Sequence, residues 1–139
     1  MADPKQIVRR IYEDVLNKRD LRPLDEFVRP DYVEHNPLPG QGTGLAGMKD
    51  RYTMLFNGLD AHFTIEDMVA EGDRVVVRWT NSGTNTGDFL GIPATGRQYS
   101  IQGIDIYRLE GGKLAEHWDV VDVFGHMVQL GVIPAPQGA

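Results

Sequence analysis

Asp105, His117, Asp119 and Asp122 stand among Ile, Tyr, Leu, Trp and Val in the stretch GIDIYRLEGGKLAEHWDVVD, residues 103–122. A carboxylate in such apolar company is costly to bury unless it is paired or put to use. The chemistry open to this set is proton transfer. Removing a proton beside a carbonyl needs a base within hydrogen-bond reach, with a pKa raised toward the working pH. A carboxylate in a dry pocket is raised by desolvation, and a second carboxylate nearby raises it again. Asp105 and Asp119 are the candidate pair, one protonated to polarise a carbonyl and the other acting as base. His117, the side chain type that titrates nearest neutrality, is the candidate orienter or shuttle. His35 and Asn36 are candidate donors to a substrate or developing enolate, and Tyr12, Trp79 and Tyr107 complete the expected substrate contacts. Each has a plainer alternative. Asp119 could bridge to Arg78 or Arg97, His117 could be a satisfied core histidine, and the tryptophans could be packing. His62 is expected to face solvent, His126 to be peripheral, and Asp122 to cap a final helix.

Whether the three groups meet depends on a turn. A three-residue loop at Glu110-Gly111-Gly112, with a glycine in the left-handed position, pairs Leu109 with Lys113. Asp105 then opposes His117 and Gly103 opposes Asp119, so Asp105, His117 and Asp119 share one face. A tight two-residue turn on Gly111-Gly112 instead pairs Asp105 with Trp118 and splits the set. The expectation is the three-residue loop.

The elements that must position these residues are helices first and strands afterwards. Asp3 as N-cap, Pro4 at the first helical position and Gln6 completing a capping box start a helix, and Ile7, Val8, Ile11, Tyr12, Val15 and Leu16 carry it to about Asn17. Leu24, Phe27 and Val28 suggest a short second helix ended before Pro30. Asp31 to Gly44 is a loop or short strand over a cavity mouth, and Leu45, Met48, Tyr52, Leu55, Phe56 and Leu59 mark a third helix. From Ala61 the pattern turns strand-like, with turns at Gly72-Asp73, Gly87-Asp88 and Gly111-Gly112, and bending points at Gly83, Gly87 and Gly103. Phe124 to Leu130 forms a last short helix before a loose tail, IPAPQGA. This order predicts an α+β architecture, a curved, mostly antiparallel sheet wrapped around N-terminal helices to leave a conical pocket.

With 139 residues the chain suits a single domain spanning 1–139. Its 41% hydrophobic and 24% charged residues are those of a soluble globular protein. A formal net charge of -6 argues against a general nucleic-acid binder. No apolar run approaches the roughly 20 residues of a membrane helix, and MADPKQIVRR lacks the apolar core of a secretory signal. The absence of cysteine excludes disulfides and thiolate chemistry and is compatible with the cytoplasm. His35 and His117 lack any short ligand spacing, so no metal site is expected, nor any cofactor. There is no P-loop, dinucleotide fingerprint or GxSxG elbow.

The motifs DYVEHNP (31–37), GIPATGR (91–97) and GGKLAEHWDVVD followed by GHMVQLG occur in an order that resembles the SnoaL-like polyketide cyclases, a branch of the nuclear-transport-factor-2-like superfamily. The resemblance covers nearly the whole chain. It implies a cone-shaped α+β barrel with a mainly apolar internal pocket, usually dimeric through the outer face of the sheet. It also implies an intramolecular aldol ring closure with Asp119 as general acid/base and Asn36 nearby. Where the family carries a histidine on the preceding strand, this chain has Asp105, so an imidazole must come from His117. Two other readings stand beside a cyclase or isomerase acting on a small hydrophobic carbonyl compound. One is an epoxide hydrolase on the same fold, although its Asp-Arg-Asp pattern would need an arginine where Gly103 stands. The other is a non-catalytic ligand-binding module. Ile104, Ile106, Trp118 and Val120, directed away from the pocket, predict a homodimer.

Overall fold

Strict alternation builds the centre of the molecule. In a computed structural model describing residues 3–136, Val75, Val77, Trp79 and Asn81 of one long strand are buried while Val76, Arg78 and Thr80 between them are only partly so. The next strand repeats this with Tyr99, Ile101, Gly103, Asp105, Tyr107 and Leu109. These are β3 (Arg74–Thr84) and β4 (Gln98–Glu110); β1 (Val28–Glu34), β2 (His62–Glu71) and β5 (Lys113–Val121) complete one sheet in the order β1-β5-β4-β3-β2. β1 runs parallel to β5 and all other pairs are antiparallel. Helices α1 (Pro4–Arg10), α2 (Leu24–Phe27), α3 (Gly44–Leu59) and α4 (Val123–Gln129), with the helical segment Ile11–Leu16 that continues α1, supply most of the rest of the core. The expected α+β architecture is therefore present.

The β4–β5 hairpin departs from expectation in an instructive way. Gly111 and Gly112 both take left-handed backbone, with φ of 61° and 77°, so they form the tight turn that favours glycine at both central positions. Glu110 pairs with Lys113 and Leu109 with Leu114. A bulge then passes over Ala115, and from Arg108–Glu116 onward the register is displaced by one residue. Asp105 lies across from Asp119 and Tyr107 from His117. Relative to the expected three-residue loop the pairing has moved by two residues. Because side chains alternate with period two, that preserves the face.

The first helix also differs. Asp3 caps it, accepting from the Lys5 N–H at 3.0 Å, but Gln6 does not complete a capping box; its own N–H bonds the Asp3 carbonyl. After Arg10 the chain widens into a π-helix over Ile11–Leu16. The buried positions 7/8, 11/12 and 15/16 repeat every four residues, which outruns the 3.6-residue α period. The wider turn keeps all three pairs facing the sheet and aims Tyr12 inward. β1 begins directly after α2 and tolerates Pro30 because it is an edge strand. Gly103 is required where β4 crosses Trp79: a Cβ there would lie 2.3 Å from the indole ring. The expected tail beginning at Ile133 has irregular backbone as far as residue 136, and residues 137–139 lie outside the described part.

Candidate active site

Between the helices and the inner sheet face lies a cavity of about 220 Å³. Leu16, Met48, Leu55, Leu59, Phe63, Phe89, Ile101 and Met127 are among its apolar lining. Its polar wall is built from four elements. β4 and β5 bring Asp105, His117 and Asp119 together, β1 adds Glu34, and α3 adds Arg51.

These five residues form one connected row of alternating charge. Asp105 Oδ1 meets His117 Nε2 at 2.9 Å. The opposite ring nitrogen, Nδ1, is 2.8 Å from both Glu34 carboxylate oxygens. Arg51 Nη1 donates to Glu34 at 3.2 Å, and its Nη2 donates to Asp119. Burial alone would lower the His117 pKa, but Asp105 and then Glu34 more than offset this and hold it at about 9. At neutral pH the ring is an imidazolium, consistent with a carboxylate at each nitrogen. Burial pushes the Asp105 and Glu34 carboxyls up, yet His117 brings both below their usual range, helped by Tyr12 at Asp105 and Arg51 at Glu34.

Asp119 is the exception. Burial raises its pKa and Asp105 adds to the rise, while Arg51 and His117 oppose it, leaving the carboxyl above its ordinary value. The group at the end of the row is thus the one carboxyl of the three whose pKa is shifted upward. Its countercharge is neither of the arginines expected: Arg78 pairs with Asp67, and the side chain of Arg97 lies by Gly131. Nor do Asp105 and Asp119 form a simple like-charge pair sharing a proton. Asp105 is kept ionised chiefly by His117, with help from Tyr12, and its Oδ2 also accepts from Trp79 Nε1 at 2.8 Å and from Tyr107 at 3.3 Å.

The other candidates divide. Trp79, Tyr107 and Asn36 line the cavity. Asn36 Oδ1 also accepts the Asp119 backbone N–H at 2.9 Å, and its carbonyl accepts from Arg51. Tyr12 is fully buried behind Asp105, 2.9 Å from the Tyr107 hydroxyl, and does not reach the cavity. His35 faces the other side of the sheet, as strand alternation from Glu34 requires. There it stacks on Trp118 with ring centroids 4.6 Å apart and bonds Glu116. Asp122 caps α4 through Gly125 N–H, as expected. His126, expected to be peripheral, is buried and lines the cavity.

Glu34 and Arg51 were missed by sequence reasoning, and both left a signal. Glu34 shares a face with Tyr32 by period-two alternation, and Arg51 interrupts the apolar stripe Met48, Tyr52, Leu55 of α3. Asp105, His117 and Asp119 offer ligand atoms within 4.8 Å of one another. The set is ill-suited to a cation, because a protonated imidazole cannot ligate and a guanidinium already sits on Asp119.

The sequence matches the SnoaL-like polyketide cyclase family over residues 6–130. It is 31% identical over 116 residues to an aklanonic acid methyl ester cyclase of Streptomyces sp. (strain C5), covering 83% of this chain and 71% of that protein. It is 30% identical over 115 residues to a nogalonic acid methyl ester cyclase of Streptomyces nogalater, covering 78% of this chain and 83% of that one. Among solved structures, TsrD from Streptomyces laurentii superimposes with a TM-score of 0.84 at 37% identity, covering 93% of this chain and 95% of that one.

Proposed function

Since the chain belongs to the SnoaL-like polyketide cyclase family, we propose that it closes a ring by intramolecular aldol addition within a hydrophobic carbonyl substrate, with Asp119 as general acid/base. The observation that carries this is the Asp119 carboxyl on the cavity wall, held by Arg51 at the end of the charged row; its upward-shifted pKa suits the role. Ionised Asp119 takes a proton from the carbon next to a carbonyl. The resulting enolate carbon attacks a second carbonyl of the same molecule, forming a C–C bond, and the proton returns from Asp119 to the new alkoxide. Atoms balance without a co-reactant. Arg51 orients the Asp119 carboxylate, and Asn36 offers amide donors beside it. His117 acts on Asp119 as a fixed positive charge.

The relatives are cyclases by name, which favours this reading over epoxide hydrolysis. The geometry adds to that, since Arg51 bridges Asp119 to Glu34 and leaves Asp105 to His117. In this reading the enzyme is a cytoplasmic homodimer. Exposed Ile104 and Val120 on the outer sheet face support the dimer. The cysteine-free sequence is compatible with a reducing compartment, and no helix among the described residues is long and apolar enough to cross a membrane.

The test is a screen of hydrophobic polyketide-like ketones followed by Asp119→Asn on whichever turns over. The variant keeps the shape but loses the titrating carboxyl, so turnover should fall by about a hundredfold or more. A folded Asp119→Asn protein with full activity would remove Asp119 as the base. A protein that binds such ketones with no turnover would favour the binding-module alternative.

A further inference from the structure

His126 is buried to 4% exposure, and its Nε2 atom has no hydrogen-bond partner. Native structures rarely leave a buried polar group in that state, because its lost hydration is not recovered. Its nearest ring neighbours offer nothing polar in exchange. Tyr99 packs at 4.6 Å between centroids and Phe89 at 6.1 Å, while the Tyr99 hydroxyl is engaged with Asn81 and the Leu59 carbonyl. A leucine or phenylalanine would fill the same space at no polar cost. Burial also lowers the His126 pKa and keeps the ring neutral, so each ring nitrogen is either a donor or an acceptor and neither is a charge.

His126 lines the cavity that holds the acid/base wall, but in another part of it. Tyr99 and Asp105 lie on one face of β4, six residues or roughly 20 Å of extended strand apart. Apolar side chains, Ile101, Phe63 and Met127 among them, line the space between. Asn81, buried and bonded to Tyr99, is a second polar group on the same cavity lining. We propose that His126 is a specificity-determining residue. Its Nε2 hydrogen-bonds a hydroxyl or carbonyl oxygen at the far end of a flat, mainly apolar ketone and sets which end of the substrate faces Asp119. The nature of the ligand rests on the cyclisation reading above; the hydrogen bond does not depend on turnover.

Two rigid probes that differ by one oxygen test this by binding alone: 6-hydroxy-2-acetonaphthone and 2-acetonaphthone. The native protein should bind the hydroxyketone about tenfold more tightly, the size of one buried hydrogen bond. In His126→Leu the preference should shrink to within about twofold while the plain ketone still binds. Asp119→Asn should keep the preference. An independent check needs no variant: long-range proton–nitrogen spectra should show the His126 Nε2 resonance shifting with the hydroxyketone and staying put with the plain ketone. Equal binding of the two probes by the native protein overturns the role of His126 and leaves the acid/base assignment standing. So does a preference that survives in His126→Leu, or a silent Nε2 resonance. Failure of both probes to bind overturns the aromatic-ketone cavity itself.

Discussion

At neutral pH His117 carries its proton between two carboxylates, and this ties part of the fold's stability to pH. Its folded pKa is raised from 6.5 to about 9. The stabilisation is therefore complete below the unfolded value and is lost as pH climbs through the folded one. The melting temperature of the native protein should fall by several degrees between about pH 6 and about pH 10, and His117→Gln should show a flatter profile over the same window. A native profile without that decline would mean that His117 is neutral in the fold. The hairpin residues of this site were legible in the sequence, because carboxylates and a histidine in an apolar strand are conspicuous. His35 was misread, because in DYVEHNP the histidine draws the eye while its neighbour Glu34 holds the inward position. Arg51 was hidden because its partners, Glu34 and Asp119, come from distant strands. No local pattern announces such a pairing.

Among the elements, β3 and β4 hold the site's shape through a single close approach. A Cβ on Gly103 would meet the Trp79 ring at 2.3 Å, and the Trp79 N–H is what holds Asp105 Oδ2. Gly103→Ala should cost about 2 kcal/mol through overpacking and weaken binding of aromatic ketones as the indole is displaced. Denaturant unfolding with a parallel probe titration checks both, and native values for each would show that the ring can yield freely. By contrast nothing lies within 4 Å of a Cβ on Gly112, so only its positive φ is at stake there. Helix and strand order followed from hydrophobic periodicity together with the cap and turn residues, except that Val28, expected in the second helix, begins β1. The π-helix and the bulge at Ala115 did not, because both are one-residue adjustments made to satisfy tertiary contacts. The four-residue spacing of the buried pairs in the first helix was the available hint.

For the molecule as a whole, the outer sheet face is the unfinished surface. Val120 is 77% exposed, Val33 47% and Ile104 44%, and contiguous apolar area of this kind marks an interface. Trp118 lies on the same face, half-covered by His35 and Arg74. Sedimentation should find a dimer at about tens of micromolar, and Val120→Glu with Ile104→Glu should give a folded monomer. A native monomer at that concentration would assign the apolar face some other role. The parallel docking of β1 on β5 carries a consequence in time. Tyr12 and Asp105 are separated by 93 residues, Glu34 and His117 by 83, and Arg51 and Asp119 by 68. Contacts between such distant parts of a chain form slowly, and the two made by His117 and Asp119 require β5 to be in place. Without β5, Glu34 lacks its His117 partner and Arg51 lacks Asp119. The row of alternating charge is therefore complete only when β5 has both β4 and β1 beside it.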